Sequence, residues 1–193
     1  MTNENTKELI LDKSMELFAK NGFAAVSMRD ISDAAGIKAS SIYYHFESKQ
    51  ALFDAMIERA DVMTEQLRSL FTDALGKANK VEKEMFVLAG VHFFKGYLMN
   101  KKILPLLKIL ECERFHSKEA DKIWKKMLFD APMKHETKTF EELMKRGLIH
   151  KSDASQLAFE YQAIINMGYF TGNAGAIEKT LGDFYDRVFK GGE

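Results

Sequence analysis

The feature that most constrains this 193-residue chain is the stretch over residues 27–46, SMRDISDAAGIKASSIYYHF. Two short segments flank a glycine. Ser27 precedes the first, and Asp30 follows three residues later, the spacing of a capping box with Asp in place of Glu. Gly36 can take a positive φ, which ends a helix and turns the chain. The pattern predicts a helix over 27–34, a turn, and a second helix over 38–45. Two helices joined by a short glycine-bearing turn form a helix-turn-helix, whose second helix enters the major groove of DNA.

Spacing within the unit separates inside from outside. Ile31, Ala34, Ala35, Ile37, Ile42 and Phe46 are placed to meet between the helices. The second helix keeps Lys38, Ser40, Ser41, Tyr43, Tyr44 and His45 for its other face. That face is rich in hydrogen-bonding groups and carries no carboxylate. On this reading Lys38, Ser40, Ser41 and Tyr44 reach base edges, while Ser27, Arg29, Tyr43, His45 and Lys49 hold phosphates.

Residues 6–57 also resemble the TetR-type (TetR/AcrR) transcriptional regulators. The resemblance rests on a first helix ending in LFAKNGF, on the helix-turn-helix, and on the Tyr43-Tyr44-His45-Phe46 run followed by Glu47-Ser48-Lys49. Lys38-Ala39-Ser40 stands where such regulators often have Ser-Lys-Gly, and Tyr44-His45 reverses a frequent order. Both departures bear on which bases are read. The resemblance implies an all-α fold, a repressor that binds a pseudo-palindromic double-stranded DNA operator, and an inducer housed in a second domain.

Composition sets the remaining bounds. The chain is 46% hydrophobic and 29% charged with formal net charge +0, an ordinary soluble composition. Two prolines and few alternating β-branched runs point to an all-α chain. The one cysteine, Cys112, leaves no intrachain disulfide framework and fits a reducing, cytoplasmic compartment. The N-terminus lacks a signal-peptide pattern, and no apolar run reaches the ~18 residues of a membrane span. Within residues 1–50 the acids outnumber the bases by one, so the head lacks a bulk basic footprint. Weak non-specific binding and a shallow salt dependence are expected.

About nine helices are expected in all. The first covers 6–20. The fourth runs from 49 to about 75 with no Pro and a Gly only past its end, and joins a head (1–48) to a ligand-binding and dimerisation domain (49–193). Its start packs on the head through Leu52, Phe53 and Met56, and Ile57, Ala60, Met63, Leu67, Leu70 and Phe71 belong to a second core. Further helices are expected over 81–99, 103–115, 118–146, 153–170 and 176–189, with Pro132 kinking or dividing the third of these.

The helix over 153–170 has two apolar faces, so one is left for a partner. A homodimer interface is expected from Phe159, Ala163, Met167 and Phe170, together with Leu181, Phe184, Tyr185 and Val188 of the last helix. Mid-chain aromatics and methionines predict a site for a small hydrophobic or aromatic effector. Its expected lining is Met63, Leu67, Phe93, Phe94, Tyr97, Cys112, Phe115, His116, Trp124, Met127, Tyr161 and Asn166. Cys112 and His116 lie at i, i+4, but two ligands on one turn make no metal centre. No triad or phosphate loop is recognisable, so neither an enzyme nor a cofactor is expected. The competing readings are an activator, or a helical small-molecule-binding protein or enzyme whose head no longer binds DNA.

Overall fold

The computed structural model describes residues 3–189, without the side chains of residues 71, 75, 76 and 77. Phe71, expected in the second core, falls outside the described side chains. The helices are α1 (Asn3–Asn21), α2 (Met28–Ala35), α3 (Ala39–His45), α4 (Lys49–Lys77), α5 (Lys83–Gly96), α6 (Leu104–Glu113), α7 (Lys118–Lys125), α8 (Ala131–Lys145), α9 (Ala154–Thr171) and α10 (Ala174–Phe189). A π-helical turn, Lys126–Asp130, joins α7 to α8 without a break, so the described residues form nine helical rods and no strand. No helix among them is long and apolar enough to cross a membrane.

The chain groups into two units: Met1–Glu65 with Lys101–Lys122, and Gln66–Asn100 with Ile123–Glu193. The division differs from the expected cut after residue 48. It falls inside α4, and α6 belongs with the head. The reason is the apolar stripe of α6, Leu106, Leu107, Ile109 and Leu110, which is buried against α1. Pro105 sits in the first turn of α6, where its missing N–H costs nothing.

In the first unit the core is Ile10, Leu11, Met15 and Phe18 of α1, Ile31 of α2, Ile42 and Phe46 of α3, and Leu52, Phe53 and Met56 of α4. Phe18, Phe23 and Phe53 form a ring cluster with centroids 5.1–6.3 Å apart. Ala34, expected between the helices, is exposed; Met28 and Ser32 are buried on α2 instead.

In the second unit α10 lies on α5 and α9, and α8 lies on α9. Phe86, Phe140, Tyr161 and Phe184 pack ring to ring with centroids 5.9–6.2 Å apart. Gly168 lets α9 and α10 close: a Cβ there would stand 2.0 Å from Ile177 Cδ1. Lys83 on α5 pairs with Asp186 on α10, and Tyr185 Oη donates to Val81 O at 2.6 Å.

Pro132 explains the π turn. It has no N–H, so it can serve neither Leu128 O, four residues back, nor Met127 O, five back. The register shift is visible in Ala131 N–H, which donates to Lys126 O. Two buried side chains supply what the backbone cannot. Tyr97 Oη donates to Met127 O at 2.9 Å, and Asn166 Nδ2 donates to Leu128 O at 3.2 Å, while Gln162 Nε2 donates to Asn166 Oδ1 at 2.9 Å. Tyr97→Phe should therefore lower unfolding free energy by about 1–3 kcal/mol, because it strands a buried carbonyl. Urea denaturation followed by circular dichroism measures this.

Candidate functional site

The helix-turn-helix forms as its residues dictate. Ser27 Oγ accepts from Asp30 N–H at 3.2 Å, and Asp30 Oδ2 accepts from Ser27 N–H at 2.8 Å and from Ser27 Oγ at 2.6 Å. The hydrogen bonds from the Ser27 hydroxyl and backbone, in that order, hold the Asp30 carboxyl below the usual range. Gly36 closes α2 with φ +65° and donates to Asp33 O. Lys38 is the N-cap of α3, and Ile42 and Phe46 fasten α3 to the core.

What α3 shows outward is tyrosine. Tyr44 is 76% exposed and Tyr43 is 55% exposed. The Tyr44 ring meets the edge of His45 with centroids 5.2 Å apart. Lys38, Ser40 and Arg29 are exposed beside them, and Ser41 and His45 are half-buried. No carboxylate lies on α3. Two of the four acids of α1 are occupied elsewhere: Glu8 accepts from Lys102 at 2.9 Å and Arg59 at 3.1 Å, and Asp12 accepts from Arg59 at 2.8 Å. The Lys102 hydrogen bond, with help from Arg59, keeps the Glu8 carboxyl low. The head's one-acid excess thus includes two carboxylates consumed inside the first unit.

Two expected phosphate contacts are corrected. Lys49 Nζ donates to the carbonyls of Phe23 at 2.6 Å, Ala24 at 3.3 Å and Val26 at 2.7 Å, and lies 4.5 Å from the centre of the Phe23 ring. An ammonium has three donors, so none is left for a phosphate. The donors of Ser27 are both spent on Asp30. Lys49→Met should lower stability by about 2 kcal/mol by opening the 23–26 turn. It should leave the slope of log affinity against log salt unchanged, whereas loss of a true phosphate contact reduces that slope by about one.

The expected effector lining does not assemble as one set. Phe115 is 79% exposed, and Cys112 and His116 are exposed with it: Cys112 is on the outer side of α6, and Phe115 and His116 follow its end in a turn. Met63 and Leu67 are half-buried and belong to different units. Phe94, Trp124 and Met127 are packed core, and Tyr97 and Asn166 serve the π turn. Phe93 and Tyr161 do line a cavity, of 10 Å³, with Ala89, Arg68, His135 and Glu136.

Arg68 and Glu136 escaped the sequence reading. Their signal is a charged residue in phase with an apolar stripe: Arg68 follows Ala60 and Thr64 at steps of four, and Glu136 sits between Pro132 and Phe140 in the same way. Both are buried. Burial pushes the Glu136 carboxyl up to about 7 against partial relief from the Arg68 charge, and burial also raises the Tyr161 hydroxyl, with Glu136 adding to it. Because folded Glu136 holds its proton more tightly than the unfolded chain, its contribution is complete below about 4.5 and gone above about 7. Wild-type stability should fall by roughly 3 kcal/mol across that interval relative to Glu136→Gln, whose stability lacks this slope. Denaturant titrations of both proteins at stepped pH read the difference.

On α9, Phe159, Ala163, Met167 and Phe170 are exposed as expected. The α10 half of the expected interface is corrected: Leu181, Phe184, Tyr185 and Val188 are buried within the subunit. The apolar stripe of α10 is single and is spent on α5 and α9. A hollow of 260 Å³ beside the α9 face is lined by Ala163, Ile164, Met167, Gly168, Thr171, Ala176, Ile177 and Thr180. Among the described residues no group of three or more His, Cys, Asp or Glu could hold a metal ion.

Residues 10–56 match the family described as bacterial regulatory proteins, tetR family. The HTH-type transcriptional repressor KstR2 of Rhodococcus jostii is 39% identical over 72 residues, covering 37% of this chain and 30% of the repressor. YerO of Bacillus subtilis, an uncharacterized HTH-type transcriptional regulator, is 28% identical over 156 residues, 75% of this chain and 53% of that protein. The chain thus spans 30% and 53% of the length of these two relatives. The solved SmeT–triclosan complex superposes over 97% of this chain and 93% of its own with a TM-score of 0.75 at 16% identity, a likeness of fold. Residues 10–56 thus match a helix-turn-helix head of the tetR family, and the likeness that extends over the rest of the chain to solved structures is one of fold.

Proposed function

We propose that the chain is a cytoplasmic transcriptional repressor that binds a pseudo-palindromic operator as a homodimer and is released by a small hydrophobic or aromatic effector. The observation that carries this reading is α3: two exposed tyrosines flanked by Lys38, Ser40 and Arg29, with no carboxylate on the helix. Tyr44 reads base edges with Lys38, Ser40 and Ser41, and Arg29, Tyr43 and His45 hold the backbone. The dimer forms through α9. Phe159, Met167 and Phe170 are each more than half exposed beside the 260 Å³ hollow, so a two-fold copy can seat an aromatic ring there.

The effector enters the second unit at the cavity walled by Phe93 and Tyr161. The bound triclosan of the SmeT structure supports a hydrophobic occupant for this fold. Release follows from α4, one unbroken helix from Lys49 to Lys77 whose first turn is fixed to the head by Lys49. An effector that binds better to a state with α4 displaced draws the dimer into that state, and the two α3 helices lose the spacing of successive grooves.

Fluorescence anisotropy with DNA from upstream of the protein's own gene tests the reading. Tyr44→Ala should weaken specific binding by about 1–3 kcal/mol with the fold intact. Phe170→Asp should sediment as a monomer and lose the operator. A wild-type protein that stays monomeric, or that ignores its upstream DNA, overturns the proposal.

A further inference from the structure

Resting on the effector reading above, we propose that the interior cavity of the second unit is an anion subsite, with Arg68 receiving the carboxylate of an apolar or aromatic acid. Arg68 is more than nine-tenths buried, and its Nε–H has no hydrogen-bond partner. A buried guanidinium donor left unmade is costly, and a carboxylate is the acceptor whose geometry its planar fork matches. The 10 Å³ cavity that it lines is about the size of one water, so the resting protein keeps the place of a polar group rather than of a whole ligand.

The other walls fix the rest of the occupant. Ala89 and the rings of Phe93 and Tyr161 are apolar surfaces suited to a hydrocarbon or aromatic body. Phe93 is half-exposed and is the wall that swings to admit it. The charged and titratable groups that face the cavity are Arg68 of α4, His135 and Glu136 of α8 and Tyr161 of α9; α5 contributes none. Glu136 is buried and keeps its proton up to about neutral pH, so it can donate a second hydrogen bond to the incoming carboxylate. A cationic ligand would face Arg68 at close range in a medium of low dielectric, and a neutral one would leave the guanidinium as it is.

Calorimetry on the full chain, in mildly acidic buffer, with benzoate and hexanoate against benzamide and hexanamide tests this. The acids should bind at least about tenfold more tightly than the amides of the same shape, the worth of one charge-assisted hydrogen bond. Arg68→Gln should abolish the preference, and Glu136→Gln should keep it but lose its decline as pH rises through about 7. If Arg68→Gln does not fold, the Glu136→Gln result decides alone, since that protein retains the guanidinium. Amides binding as well as acids would overturn the anion inference and leave the effector pocket standing. Acids that fail to bind while a neutral apolar compound raises the melting temperature would do the same, and no stabilisation by any compound would remove both.

Discussion

The head depends on one ammonium group. Lys49 opens α4, and its Nζ ties together the three carbonyls of the 23–26 turn while lying over the Phe23 ring. That turn leads directly into the capping box of α2, and α2 positions α3 through Ile31 and Ile42. The direction in which Tyr43 and Tyr44 point is thus supported by a half-buried charge whose donors are turned onto the backbone. A lysine beside the outward helix of a helix-turn-helix looks like a phosphate ligand, and here it acts as mortar.

Much of the fold was legible because its signals are local. Ser27, Asp30 and Gly36 announce α2 and its end through capping and backbone chirality, which need no tertiary partner. Tyr43 and Tyr44 were assigned outward because Ile42 and Phe46 take the inward positions of a seven-residue helix. What was illegible depends on which neighbour claims an apolar face. The sequence sets Leu106, Leu107, Ile109 and Leu110 beside Cys112, Phe115 and His116 within one stretch, yet does not reveal that α1 takes the first set. Likewise α10 offers one stripe, and only the structure assigns Leu181, Phe184 and Tyr185 to their own subunit.

The interior shows a further lesson about charge. Counted over the chain, the charges cancel. Placed in space, Glu8 and Asp12 of α1 neutralise Arg59 and Lys102, while Arg68 keeps an unanswered donor in the second unit. Net charge is silent about both arrangements, because what matters is whether a partner lies within reach and how much water has been removed. In the sequence the only sign of Arg68's burial is its phase with Ala60 and Thr64 along α4.

The π turn before Pro132 makes the rod from Lys118 to Lys145 one residue richer than an ideal helix of the same span. An α-helix advances about 100° in azimuth per residue. Excising a single amino acid from this wide turn would restore regular winding while leaving the residues beyond it on the faces they already occupy, because the turn holds its extra residue as a local bulge. The surplus residue is a tolerated swelling in the rod, housed where the Tyr97 hydroxyl and the Asn166 amide answer the carbonyls it loosens.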